Sequence, residues 1–234
     1  MANRITDIIR MLQREPPKVR QAILAELRKH HPIHPIEARW GVPAEVILEA
    51  IARSSDLSQR GVRGLIAEAY FETHVLPSLE HWEDVSPPPG NVAYDFAVRR
   101  GEREVRIQVK TQRRKAGRPM MANEGFSRFP SDLYVVETQK TRAGKKSDGG
   151  DTRPYRFGEF DILAVNMEPA TGEWEQFRYT LARWLVPRDD DPAVILKFQP
   201  VALTPNDDWT DNLATCLGWL EGNVEKTIHH QSRT

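Results

Sequence analysis

Between Val92 and Thr111 two strand-like runs meet at Arg100-Gly101, an apolar one broken by Asp95 and one that alternates polar with apolar residues from Glu104 to Lys110, and this pattern narrows the folds open to the chain more than any other feature. Glycine takes up the positive φ that a tight hairpin demands, and a period of two sends successive side chains to opposite faces of a strand. Two antiparallel strands are therefore predicted. In the second, Val105, Ile107 and Val109 share one face, which leaves Gln108 and Lys110 together on the other. If residue 99 pairs with 102, Asp95 stands opposite Arg106 and diagonal to Gln108; a register shifted by two sets it directly opposite Gln108. In both registers Asp95, Gln108 and Lys110 occupy one face, within roughly 5–8 Å at their Cβ atoms.

The segments around this hairpin predict a mixed α/β domain with a helical module in front of it. Ile5, Ile8, Ile9 and Leu12 follow the spacing of an amphipathic helix, which Pro16 and Pro17 interrupt. Val19, Ile23, Leu24 and Leu27 mark a second helix, and Val46, Ile47, Ala50 and Ile51 point inward from a third over 44–53. With Gly41 at a turn, Ile36 to Ile51 has helix-turn-helix spacing, and plain packing of two short helices gives the same pattern. A helix over 63–76 follows. Strands are predicted at 81–85, 92–98, 104–111, 132–138, 159–166, 176–181 and 194–199, and a closing helix over 208–220. The stretch from Thr141 to Pro154 reads as a loop, and the tail after Asn223 as disordered. Residues 1–58 form the helical module, which either packs or touches DNA; 59–200 form the α/β core, a mixed sheet flanked by helices; 201–234 form a C-terminal helix and tail.

Several function classes are excluded. The longest apolar runs, such as Ile162 to Val165, fall far below the roughly 20 residues of a membrane helix. The N-terminus lacks the layout of a signal peptide, and a cytoplasmic location is expected. Cys216 is the only cysteine, so neither an internal disulfide nor a cysteine zinc cluster can form. Pro32 and Pro35 keep His30, His31 and His34 from sharing a helix face. Neither a GxxxxGK[ST] nor a GxGxxG motif is present, so no nucleotide cofactor is expected.

Lys plus Arg and Asp plus Glu both number 33, so the overall charge announces no polyanionic partner. Its distribution says more. From Arg99 to Arg118 nine basic residues face two acids, an excess of seven positive charges. Arg113, Arg114, Lys115 and Arg118 directly follow the second hairpin strand, and Lys140, Arg142, Lys145 and Lys146 form a second basic stretch. Either group is a solvated face or a contact surface for DNA phosphates. Asp161 and Glu159 read as structural, and Trp174, Trp184, Trp209 and Trp219 as core.

Hydrolysis of a phosphodiester needs a cation to neutralise developing charge and a group that orients water. Asp95 offers an anionic oxygen, Gln108 a neutral carbonyl oxygen and Lys110 a cation beside the attacking water. Mg²⁺ prefers such an oxygen set. Tyr94-Asp95, the hairpin, Gln108-Val109-Lys110-Thr111 and Gly64-Leu65-Ile66-Ala67-Glu68 in the preceding helix resemble the PD-(D/E)XK nucleases. The similarity is to the variant in which Gln replaces the acid of the tripeptide, and it covers about residues 61 to 111. Two departures stand out: no proline precedes Asp95, and Gln108 leaves the site one negative charge short.

The resemblance implies a small mixed sheet flanked by helices, with Glu68, Asp95, Gln108 and Lys110 as catalytic residues. It implies Mg²⁺ held by Asp95, Gln108, the Val109 carbonyl and Glu68, the last directly or through water. Gly64 would let its helix approach the sheet or a DNA backbone closely. The leading expectation is a type II restriction endonuclease, acting on double-stranded DNA as a homodimer and contacting it through Arg113, Arg114, Lys115, Arg118, Lys140 and Arg142. The alternatives are a structure-specific enzyme resembling Holliday junction resolvases and a non-cleaving DNA-binding protein of the same fold.

Overall fold

The computed structural model describes residues 2–32, 34–88, 92–140, 154–222 and 224–231. Arg142, Lys145 and Lys146, with nearly all of the loop expected from Thr141 to Pro154, lie outside them. The chain divides into two compact units, Met1–Arg60 and Gly61–Thr234.

The first unit contains α1 (Ala2–Arg14), α2 (Pro17–His30), α3 (Pro35–Trp40) and α4 (Ala44–Arg53). Pro17 begins α2, where its missing N–H costs nothing, and Gly41 closes α3 at φ 65°. The Glu37 carboxylate accepts from the His34 and Ala44 amides, tying the start of α3 to the start of α4. The apolar stripes do not become a core. Ile5, Ile8, Ile9, Leu24 and Leu27 remain about half exposed, and Val46 and Ala50, expected inward, are exposed. Helices this short in a unit this small enclose too little volume to bury a whole side chain, and none is buried in α2, α3 or α4.

The second unit is built on a sheet of five strands: β1 (Glu83–Asp84), β2 (Phe96–Arg100), β3 (Arg103–Thr111), β7 (Ile162–Asn166) and β8 (Phe177–Leu181). They lie in that spatial order, β3 and β7 parallel and the other pairs antiparallel. Between β3 and β7 come the short hairpin β4 (Arg114–Lys115) and β5 (Arg118–Pro119), α6 (Ala122–Gly125) and β6 (Tyr134–Glu137). After β7 come α7 (Glu168–Thr171), then β9 (Phe198–Val201), which pairs with β6, and α8 (Leu213–Glu221). This is a mixed α/β architecture with helices flanking the sheet.

Helix α5 (Asp56–Tyr70) begins earlier than the apolar spacing suggests and continues into a π-helical turn, Phe71–Val75. Buried Phe71 projects from that turn onto Phe96 and Phe177, with ring centroids 5.0 and 5.6 Å away, and clamps α5 to the sheet. Arg106 on β3 forms a bidentate pair with Asp161, whose Oδ2 also accepts from the Arg106 amide at 2.8 Å. That pair fixes the start of β7 beside β3, in keeping with a structural Asp161. Trp184 and Trp209 are buried, and Trp174 and Trp219 pack against the core.

Several element boundaries differ from expectation. The strand predicted at 194–199 shifts to Phe198–Val201, because Val194 and Ile195 make only isolated bridges to Arg156 and Pro187. Helix α8 starts at Leu213, where the Asn212 side chain accepts from the Thr215 amide and caps it. The tail after Asn223, expected to be disordered, packs over 224–231. Ile228 is fully buried and its amide donates to the Trp184 carbonyl, while the Trp184 indole donates to the Val224 carbonyl at 2.9 Å. Lys226 lies over the Trp184 ring, 4.1 Å from its centroid.

Candidate active site

The hairpin register decides how the site is assembled. Arg100 pairs with Arg103 and Phe96 with Ile107 around Gly101 at φ 63°. Continued by one residue, this register sets Asp95 directly opposite Gln108, the second of the two possible arrangements. The Asp95 amide donates to the Ile107 carbonyl at 3.0 Å and keeps the residue in register beyond the end of β2. Val105, Ile107 and Val109 are buried on the core face.

On the other face the polar groups converge. Asp95 Oδ2 accepts hydrogen bonds from the side-chain amide of Gln108 and from the Val109 backbone N–H, the latter at 2.9 Å. The same Gln108 Nε2 donates to the Val109 carbonyl at 3.1 Å. One buried N–H₂ group thus joins the Asp95 carboxylate to the Val109 carbonyl. Gln108 is only 2% exposed, and its Oε1 accepts from the Tyr155 hydroxyl at 3.1 Å.

Half-buried Glu68, from α5, is close enough to Asp95 and Lys110 for their charges to act on it. Burial, then the Asp95 charge, push its carboxyl up from 4.5 to about 7, against the opposing pull of Lys110. Asp95 is also raised, by burial, with Lys110 and the Val109 N–H pulling the other way. Burial lowers the Lys110 ammonium below the ordinary lysine range, although Asp95, Glu68 and Glu137 favour its charge. Burial and the surrounding carboxylates, Asp95 first, raise the Tyr155 hydroxyl, so it stays protonated and able to donate. The Tyr155 ring lies 5.5 Å from Lys110 Nζ and 5.3 Å from Lys140 Nζ.

These donors suit a hard divalent cation. A carboxylate oxygen and a backbone carbonyl oxygen already converge on one polar hydrogen-bearing group, with a second carboxylate whose ionisation is costly until a positive charge joins it. Among the described residues no group of three His, Cys, Asp or Glu side chains gathers to hold a metal. Here the donor set is two carboxylates, one amide and one carbonyl.

The structure therefore brings together Glu68, Asp95, Gln108, Val109 and Lys110. Tyr155 and Glu137 join them without any local sequence signal. The basic residues are engaged differently from a free cationic strip, since each one described holds a carboxylate. Arg113 pairs with Glu137, Arg114 with Glu168, Lys115 and Arg118 both with Glu124, and Lys140 with Glu159. Glu137 also holds Lys197, and Glu168 also holds Arg63. Three glutamates thus each bridge two cations. Among the described residues, apart from Gly64's own helix backbone and chain neighbours, nothing lies within 4 Å of a Cβ built at Gly64, so this glycine does not serve close approach of α5 to the sheet.

No known family and no curated protein matches the chain. Among solved structures, a bacterial homing endonuclease, I-Ssp6803I, is similar at 18% identity and a TM-score of 0.39, over 69% of this chain and 90% of that one. A likeness at that level leaves the functional question to the side chains. No described helix is long and apolar enough to cross a membrane.

Proposed function

We propose that the protein is a Mg²⁺-dependent endonuclease that hydrolyses phosphodiester bonds in double-stranded DNA at specific sequences, as a type II restriction enzyme does. The observation that carries this reading is the junction of Asp95 Oδ2 and the Val109 carbonyl at the Gln108 amide, with Glu68 and Lys110 acting electrostatically on the same point. Asp95, Glu68, the Val109 carbonyl and the Gln108 amide oxygen would hold the cation. When bound, Mg²⁺ supplies charge neutralisation at the phosphate and makes water more acidic.

The protein's own groups do the rest. Lys110 donates to the attacking water and orients it; its lowered proton affinity lets it exchange a proton more readily than an exposed lysine. The Val109 N–H holds the Asp95 carboxylate in one rotamer. DNA phosphates would displace carboxylates from Arg113, Arg114, Lys115, Arg118 and Lys140, each cation exchanging one anionic partner for another. A homodimer would present one such site to each strand of a symmetric sequence.

The test is incubation of the purified protein with plasmid and phage DNA, with Mg²⁺ or with EDTA. Discrete, reproducible fragments that need Mg²⁺ and vanish in Asp95→Asn support the reading. Selective cutting of four-way junctions would replace sequence-specific cleavage with structure-specific cleavage, and DNA binding without any cutting would overturn the enzymatic assignment.

A further inference from the structure

Gln108 is oriented in a way that conflicts with ligation. Its Nε2, not its Oε1, points between Asp95 Oδ2 and the Val109 carbonyl, and a positive ion cannot be held by an N–H₂ group. Turning the carboxamide over exchanges its two ends at almost no steric cost and presents Oε1 to the same point. The turned amide must then place two N–H donors where Oε1 had been, in a spot that is 2% exposed. There it needs an acceptor. Among the described residues the one group hydrogen-bonded to Oε1 is the Tyr155 hydroxyl, at 3.1 Å. A tyrosine hydroxyl is both donor and acceptor, so it satisfies either orientation by rotating its own hydrogen.

We propose that Tyr155 is the positioning residue that makes a glutamine workable at this site: its hydroxyl donates to Gln108 while the amide ties Asp95 to Val109, and accepts from it when the amide oxygen turns to a divalent cation. The inference rests on the metal site proposed above and adds a residue to it. It also explains why the tyrosine is placed as it is. Tyr155 is 4% exposed, its ring packs edge-on against Phe160 with centroids 5.3 Å apart, and its carbonyl accepts from the Ile195 amide, so the hydroxyl is delivered to Gln108 by a fixed ring and a fixed backbone. A carboxylate at 108 would need no such partner. Its two oxygens are equivalent, and neither end must donate.

The experiment uses full-length protein without DNA and Mn²⁺ as the probe, with binding read from the loss of the free-ion electron paramagnetic resonance signal. Five proteins are compared: wild type, Asp95→Asn, Tyr155→Phe, Gln108→Glu and the double variant Tyr155→Phe/Gln108→Glu. Circular dichroism melting identifies any variant that has lost its fold. Wild type is expected to bind and Asp95→Asn to lose most of that binding. Tyr155→Phe leaves an N–H donor unpaired in the metal-bound state and only a carbonyl oxygen in the metal-free one, and because the orphaned donor costs more, Mn²⁺ binding is expected to weaken about fivefold. In the Gln108→Glu background the same tyrosine change is expected to cost less than about twofold.

Equal losses in both backgrounds would reduce Tyr155 to a packing residue and overturn the inference. No loss in the wild-type background would overturn it as well. If wild type binds Mn²⁺ no better than Asp95→Asn, the metal site itself fails, and the role of Tyr155 fails with it. A Tyr155→Phe protein that melts well below wild type is read through the double variant, because restored binding at the same melting temperature still separates positioning from stability.

Discussion

Asp95 raises the proton affinity of Glu68: after burial, its charge is the next cause holding the Glu68 carboxyl at about 7. A carboxyl near 4.5 in the unfolded chain and near 7 in the folded one binds its proton more tightly when folded. Its contribution to stability is thus fully present below about pH 4.5 and lost as pH rises through 7. In EDTA, the melting temperature of wild type relative to Glu68→Gln should fall between pH 4.5 and 7 and level off above it. Adding Mg²⁺ should flatten that fall, since a cation favours the ionised carboxylates. A wild-type curve parallel to that of Glu68→Gln across this window would separate Glu68 from Asp95.

Lys110 acts on water in the proposed mechanism and takes no part in holding DNA. Lys110→Ala should therefore abolish cleavage and leave DNA affinity, measured by fluorescence anisotropy in Ca²⁺, within a few fold of wild type. Near-normal cleavage by this variant would remove the catalytic role of the whole β3 motif.

Glu124 is held by both Lys115 and Arg118, and the arginine first, with the Met121 amide next, pulls its carboxyl down to about 2. If those cations meet phosphates, neutralising Glu124 frees both of them. Glu124→Gln should tighten DNA binding several fold, while replacing Arg113, Arg114 and Lys115 together should weaken it and reduce the salt slope by about three, at roughly 0.9 per lost phosphate contact. Affinity measured across a salt series checks both. An unchanged slope in the triple variant means the cations serve only their glutamates.

Ile228 is fully buried beside Trp184, in a tail that the sequence marks as disordered. Ile228→Ala should destabilise the protein by about 2–4 kcal/mol, through lost transfer energy and the cavity left behind. Urea denaturation measures this. A change below about 0.5 kcal/mol would detach the tail from the core.

What could be read from the sequence follows the range of the interactions. The β2–β3 hairpin is legible because alternation and Gly101 lie within one short stretch. Its register is not, since both alternatives satisfy the alternation. Tyr155 leaves no trace in a local pattern because it meets Gln108 across 47 positions. Arg114 looks free in the sequence for the same reason, since it finds Glu168 across 54 positions, whereas Lys115 and Arg118 look free because Glu124 lies beyond the β4–β5 hairpin that brings it back to them. The order of residues 224–231 is hidden in the sequence because a polar composition surrounds the one apolar anchor that is buried there, Ile228, whose partner Trp184 lies far away in the chain.

The remaining prediction concerns charge at the proposed metal site, where Gln108 is neutral and Asp95 supplies one negative charge. A second carboxylate is needed to balance a divalent cation, and Glu68 is the one whose ionisation already responds to Asp95 and Lys110. The other candidates stand apart. Glu72 is exposed on the π turn, and Glu104 pairs with Arg99 at 2.8 Å. Glu137 acts on Lys110 but is held by Arg113 and Lys197. Glu68→Ala should therefore depress cleavage at least about a hundredfold at ordinary Mg²⁺, the scale of removing one charged group from a preorganised site. Gln108→Glu should recover part of that loss by returning a charge to the same point, most visibly at low Mg²⁺. Cleavage rate against Mg²⁺ concentration for wild type, both single variants and the double variant tests this. If Glu68→Ala cuts like wild type throughout the titration, Glu68 has no role at the cation, and Glu137, released from its two cations when DNA binds, becomes the carboxylate to replace next.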